Sequence, residues 1–221
     1  MLTLLEEVVL LTINPRTGCL EGGSEYGVRY ALAGAVLFDL ALAERIDTDV
    51  DTVTVINSTP TGNPIQDELL AALSKGAVPY KVRDCVEQIF FQRNDFEGEA
   101  LSLLVKRGII RKEASKFLWV IDVERLRVID GAHHQQITSR LAQAVLEDDI
   151  PEVRDIMLVS LANACGLLSV VLAPAQIELR AEWIETLSKI ETISRNVSSS
   201  IASLLEDLAR GSAGLGIARP I

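Results

Sequence analysis

The sequence predicts a mainly α protein: a single globular helical domain around buried core helices, with a projecting β-hairpin. Three observations carry this prediction. Residues 26–45 read YGVRYALAGAVLFDLALAER, and every residue from Tyr30 to Phe38 is apolar or glycine. A one-sided surface helix alternates an apolar stripe with a solvent face, and this stretch has almost no solvent face. Residues 156–173, IMLVSLANACGLLSVVLA, form a second apolar run of the same kind. Between them, residues 109–129 follow a two-residue alternation, with Phe117, Trp119 and Ile121 interleaved with Leu118, Val120 and Asp122.

Neither apolar run reads as a membrane span, which needs ~20 apolar residues. Arg29, Asp39, Glu44 and Arg45 crowd the first, and Ser160, Asn163, Cys165, Gly166 and Ser169 interrupt the second. A chain of 221 residues is long enough to bury a sizeable core. Aromatics make up only 5% of it, so Leu, Val, Ile and Ala must fill that core. The net charge of −10 argues against a broad basic face for nucleic acid. Cys19, Cys85 and Cys165 are far apart and in no metal-ligand spacing, which fits reduced thiols. No basic segment with a small-residue cleavage site opens the chain, so a cytoplasmic location is expected.

In order, Thr3 and Glu6 form a capping box for a first helix with Leu4, Leu5, Val8, Val9 and Leu11 on its buried stripe. Residues 14–18, NPRTG, are a turn, and residues 20–25 are a flexible loop into the first core helix. Residues 45–51 leave that helix. Residues 52–56, TVTVI, are β-branched and predict a short strand. Residues 57–64 are rich in turn formers, and residues 65–73 return to helical spacing. Residues 81–107 keep a helical period with a weak point at 94–98, which reads as two helices or one kinked helix. Gly108 is the expected stop after Lys106 and Arg107. After the hairpin come helices over residues 136–147, 153–173, 176–193 and 195–210. The domain is expected over residues 1–210, and the glycine-rich residues 211–221 as a flexible tail.

Residues 105–127 hold the one basic island. Lys106, Arg107, Arg111, Lys112, Lys116, Arg125 and Arg127 face Glu113, Asp122 and Glu124, a local net charge of +4 in an acidic chain. A basic hairpin with Trp119 suits a membrane-surface contact, an oligomer contact, or a winged-helix wing on DNA. It also suits a solvated hairpin whose charges protect an edge strand.

Little points to catalysis. Glu6 and Glu7 are adjacent on a helix and point about 100° apart, so they do not converge. His133 and His134, the only histidines, have no nearby Cys or His to complete a metal set and read as a turn or helix start. The GGSEYG stretch before the core helix matches no phosphate-loop pattern, and glutamates flank it. No enzyme, metal or cofactor is expected.

Several stretches, in this order, resemble the Golgi phosphoprotein 3 family. Residues 2–11, LTLLEEVVLL, look like that family's opening, and residues 31–46, ALAGAVLFDLALAERI, are similar to its buried core helix. Pro60-Thr61-Gly62-Asn63, with Asp67-Glu68-Leu69-Leu70 behind it, resembles its PTG…DE element. Leu104-Val105-Lys106-Arg107-Gly108-Ile109-Ile110 looks like its helix-to-hairpin junction. Ile137-Thr138-Ser139-Arg140-Leu141 resembles its post-hairpin basic helix, and residues 161–174 its second core helix. The ordered set covers about residues 2–193.

The resemblance implies a non-enzymatic peripheral membrane adaptor. Eukaryotic members bind phosphatidylinositol 4-phosphate and retain membrane enzymes through their cytosolic tails, and the hairpin contributes to self-association and membrane contact. The chain lacks those members' long N-terminal extension, so a bacterial homologue is expected. The implied lipid site uses a loop tryptophan, an arginine in the core helix and basic residues on the post-hairpin helix. Ser24 stands at the tryptophan position and Ala33 at the arginine position. Arg140 keeps its place, Gln143 is neutral, and Arg29 lies one turn earlier than Ala33. Arg140 and Arg29 are therefore the implied headgroup ligands. Arg111, Lys112, Lys116, Phe117 and Trp119 are the implied membrane or oligomer contacts. Two arginines beside Glu21 and Glu25 make a poor pocket for a headgroup with several negative charges. The implied partners are thus an anionic phospholipid and further copies of the chain, and not nucleic acid.

Overall fold

A computed structural model describes residues 1–49, 51–76, 79–92, 95–117 and 121–215. In chain order the elements are α1 (Leu4–Thr12), α2 (Glu25–Leu42), β1 (Ile46–Asp49), β2 (Thr52–Val55), α3 (Pro64–Leu73), β3 (Tyr80–Lys81), α4 (Val82–Gln92) and α5 (Phe96–Lys106). The hairpin strands β4 (Ile110–Phe117) and β5 (Ile121–Val128) follow. The chain then continues through α6 (Gly131–Leu146), α7 (Val153–Ala164), a 3-10 turn (Leu167–Val170), α8 (Pro174–Leu179), α9 (Ala181–Ile190) and α10 (Thr192–Leu215).

α2 is the centre. Its apolar run has no polar face to give to water, so it packs against α1, α4, α7 and α10 at once. Tyr30 to Leu40 are all buried, and solvent reaches only the ends, at Tyr26 and Leu42. Gly34 sits where three helices meet. A Cβ there would lie 2.6 Å from Leu161 Cδ2 of α7 and 2.9 Å from Val197 Cγ1 of α10, so the missing side chain sets how closely they approach.

α1 is buried along its whole length. The capping box is present: Glu6 N–H donates to Thr3 Oγ1 at 3.1 Å, and Thr3 N–H donates to Glu6 Oε2 at 2.8 Å. The apolar stripe expected from the sequence is correct but incomplete, because Glu6 and Glu7 are buried too, at 0% and 2% exposure. Period alone cannot show this, since a buried charge needs partners from distant segments.

Four further expectations change. Residues 45–51 do more than leave α2. Ile46–Asp49 forms β1, held by backbone pairing to β2 in an antiparallel sheet of order β1-β2-β3. Its sequence, IDTD, has no β-branched run of its own. The second core helix is shorter than its apolar run. α7 ends at Ala164, and Gly166 takes a left-handed backbone (φ +74) that turns the chain into the 3-10 segment. Residues 176–193 divide between α8 and α9 with Arg180 at the join. Its Nε donates to Val145 O at 2.7 Å and its Nη2 to Glu147 O at 2.8 Å, capping the carbonyl end of α6. α10 runs to Leu215, past the point where the glycines predict a tail, and residues 216–221 lie outside the described residues.

The rest follows the sequence. Asn63 caps α3 with Pro64 in its first turn, and α4 and α5 are separate helices. Gly108 ends α5 with φ +72. β4 and β5 pair antiparallel over eight residues each, from Ile110↔Val128 to Phe117↔Ile121. Among the described residues no helix is long and apolar enough to cross a membrane.

Candidate functional site

Arg140 lies on α6, and its guanidinium is already engaged. Nη1 donates to Glu7 Oε1 at 2.9 Å, and Nε donates to Asp155 Oδ1 at 2.9 Å. Arg154, from the first turn of α7, adds an ion pair to Glu7 Oε1 at 3.3 Å and donates to Leu2 O at 2.6 Å. Arg107, at the end of α5, pairs with Glu6 Oε1 at 2.8 Å. Asp39 of α2 completes the cluster, accepting the Leu4 and Leu5 N–H groups at 2.8 and 3.2 Å. These are the orphan donors of a helix start, and the positive end of the α1 dipole favours a carboxylate there. Four carboxylates and three guanidiniums therefore tie α1, α2, α5, α6 and α7 together. Burial pushes Asp39 up to about 7, against the pull of the two N–H donors.

Arg29 sits elsewhere. It is half-buried in the second turn of α2, and its charge acts on the Tyr30 phenol together with Arg83 of α4. Burial raises that phenol first, and then the Glu87 charge. Arg29 precedes Asp39 by ten residues, about 15 Å along the helix axis. The charged neighbours of Arg29 are those around Tyr30 and Arg83, whereas those of Arg140 are Glu7 and Asp155.

The loop before α2 is built for packing. Ser24 caps the helix, its Oγ accepting Gly27 N–H at 3.0 Å. Gly23 has φ +63, and a Cβ on it would lie 2.8 Å from Cys165 O. A cavity of about 270 Å³ opens beside this loop, lined by Glu21, Glu25 and Glu97 with Thr12, Leu20 and Val28. Burial raises the Glu97 carboxyl, and the Asp95 and Glu25 charges add to it. The cavity is acidic, so it repels a phosphorylated headgroup. Ala33 is fully buried.

The hairpin is where exposed cations gather. Arg111, Lys112, Arg125 and Arg127 are exposed at its base. In the register, Arg111 is opposite Arg127 and Glu113 is opposite Arg125. Strand alternation puts these four on one face, and further out the same face holds the positions of Ser115, Phe117, Ile121 and Val123. The pair Arg127–Glu113, at 3.4 Å between an exposed and a half-buried partner, neutralises little. Lys116 occupies the other face, opposite Asp122. Trp119 lies outside the described residues.

The remaining sequence candidates have structural places. His133 and His134 are in the first turn of α6. His133 Nε2 lies 3.8 Å from Asp130 Oδ2, and burial lowers His134, which bonds to the Ile13 backbone. Burial pushes the Cys85 and Cys165 thiols up to about 12, so neither supplies a thiolate at neutral pH. Among the described residues no group of three His, Cys, Asp or Glu side chains could hold a metal ion. Sequence reasoning passed over Asp39, Arg154 and Asp155 as a unit. The one signal for them was Asp39 itself, a lone charge inside an apolar run.

Fold and surface together define a helical scaffold that presents a cationic β-hairpin, with its buried charges spent on internal ties. A family model described as Golgi phosphoprotein 3 (GPP34) matches residues 4–206. The chain belongs to the Golgi phosphoprotein 3 family. A search of curated proteins finds no match.

Proposed function

We propose that this protein is a non-enzymatic, cytoplasmic peripheral membrane adaptor that meets anionic phospholipid through its hairpin. Family membership supports the adaptor reading. The observation that carries the membrane contact is the hairpin face with Arg111, Arg125 and Arg127 at its base and Phe117, Ile121 and Val123 further out. Cations beside an apolar end suit an interface where phosphates lie above acyl chains. Arg140 holds α1, α6 and α7 together in this reading, and Arg29 is left as the family-site arginine nearest the α2 N-terminus. Headgroup selectivity is therefore low: charge density, more than phosphatidylinositol 4-phosphate itself, sets the affinity.

Vesicle sedimentation at low salt tests this, with phosphatidylcholine alone, with added phosphatidylserine, and with added phosphatidylinositol 4-phosphate at matched charge. Both anionic mixtures should pull the protein down, and neutral vesicles should not. Failure with every anionic mixture would overturn the reading. The same apolar positions support a second reading, self-association through the hairpin. Light scattering on Trp119→Asp separates the two, because an unchanged mass removes the hairpin from assembly.

A further inference from the structure

The hairpin is attached to the body at more than its two ends. It leaves α5 at Gly108, whose left-handed backbone has nothing within 4 Å of a would-be Cβ. It returns at Ile129, whose N–H donates to Ile109 O at 2.8 Å. A third tie comes from the loop between α1 and α2. Leu126 N–H donates to Gly18 O at 2.9 Å, and Arg125 Nη1 approaches Thr17 O at 3.5 Å. The Leu126 N–H thus leaves β5 on the side away from β4. Gly18 closes against it so tightly that a Cβ would lie 3.0 Å from Leu126 O and 3.3 Å from Arg125 Cβ.

That loop is stiff in itself. Ile13 and Leu20 form a bridge, Asn14 N–H donates to Cys19 O, and Asn14 Oδ1 accepts the N–H groups of Arg16 and Thr17. Beside the contact is open space. A cavity of about 400 Å³, lined by Gly18, Cys19, Leu20, Leu101, Lys112 and Leu126 among others, opens beside the hairpin base. Apart from the buried side chains of Ile110 and Leu126, the arm is held to the body here by one backbone bond and a close glycine contact, next to room to move.

We propose that the 13–20 loop is a latch that holds the β4–β5 arm at one angle. Opening it lets the arm swing as a unit about Gly108 and Ile129 while the helical body stays folded. The inference uses the membrane reading only for its purpose, since a swinging arm can align with a surface that the body does not fit. Its evidence is independent of lipid.

Hydrogen exchange without vesicles tests the latch on three chains: the natural one, Gly18→Val, and Gly62→Ala. Gly62 also has a left-handed backbone (φ +86) but nothing within 4 Å, so its variant controls for backbone strain alone. Gly18→Val should speed exchange at Leu126 and along β5 at least about fivefold, the loss expected for one backbone hydrogen bond. Protection of α2 and α7 should stay as it was, and Gly62→Ala should leave β5 unchanged. Unchanged protection of β5 in Gly18→Val would overturn the proposal. If that variant does not fold, native-state exchange of the natural chain in rising denaturant decides. β4 and β5 open together before α2 and α7 under the proposal, and only with them if it is wrong. A failure of vesicle binding leaves either result standing.

Discussion

Arg140 and Glu7 are separated by 133 residues in sequence and joined at 2.9 Å, Nη1 to Oε1, with Asp155 on the guanidinium's other side. The side chains keep 23% and 3% of their exposure, so this is a shielded pair. Arg140, which the family resemblance implies as a headgroup ligand, is in this chain a tie between three helices.

Replacing Arg140 by Ala should therefore destabilise the fold. Glu7 keeps Arg154 at 3.3 Å, but Asp155 loses its cation and Glu7 half of its compensation. Breaking a largely buried pair from one side costs on the order of 3 kcal/mol. Denaturant unfolding of Arg140→Ala should show a loss of that size with an unchanged slope. A stable variant that has lost vesicle binding would instead make Arg140 a headgroup ligand.

Asp39 gives the stability a pH dependence whose sign is fixed. Its folded pKa of about 7 lies above the ordinary 3.8. Between these values the folded chain holds a proton that the unfolded chain has lost, so this group's contribution is full below about pH 4 and fades as pH rises towards about 7. A shift of that size corresponds to on the order of 4 kcal/mol. Asp39→Asn cannot titrate, and its amide oxygen can still accept Leu4 N–H. Unfolding at pH 5 and pH 8 should show the natural chain losing more stability than the variant over that interval. Equal losses in the two chains would mean that Asp39 is ionised throughout, held so by the α1 N-terminus.

Local signals were the ones the sequence made legible. Thr3 and Glu6 lie three residues apart, Gly108 follows Lys106 and Arg107, and strand alternation locates the hairpin; each is fixed by neighbouring residues. An apolar run shows that residues 30–38 are buried, but not which segments cover them. For this reason α1's two glutamates were left off its buried stripe. Their partners Arg107, Arg140 and Arg154 come from 101 to 147 residues away in the chain, and no period encodes such pairings. β1 was missed for the same reason, since its strand geometry is imposed by β2 across the turn. Arg140 shows the limit on the functional side. A motif preserved in sequence carries a residue type and a position, and it does not carry the acceptors that surround it.

At the crossing of α2, α7 and α10, Gly34→Val should be costly. A larger residue meets Leu161, Val197 and Ile201, the nearest would-be contacts being 2.6, 2.9 and 3.2 Å. Overpacking of a tight core costs about 1–3 kcal/mol. The helix-propensity gain from replacing glycine is below about 1 kcal/mol and does not cover it. Thermal unfolding should register a lower midpoint for Gly34→Val. An unchanged midpoint would mean that the three helices can part by a few tenths of an ångström without penalty.

The hairpin prediction separates charge from shape. Arg125→Ala with Arg127→Ala removes two exposed cations, while Leu126, the residue between them that anchors the strand, stays in place. Each cation close to an anionic leaflet contributes about 1 kcal/mol. The double variant should thus bind phosphatidylserine vesicles roughly 30-fold more weakly. Its affinity should also depend less steeply on salt, because fewer charges are screened. Its thermal midpoint should move little, as among the described residues Arg127 pairs with a half-buried Glu113 and Arg125 makes one long contact to Thr17 O. Sedimentation across a salt series measures both quantities in one experiment. Weaker binding with an unchanged salt slope would point to the apolar end of the hairpin as the contact. Unchanged binding would move the membrane surface off the hairpin altogether.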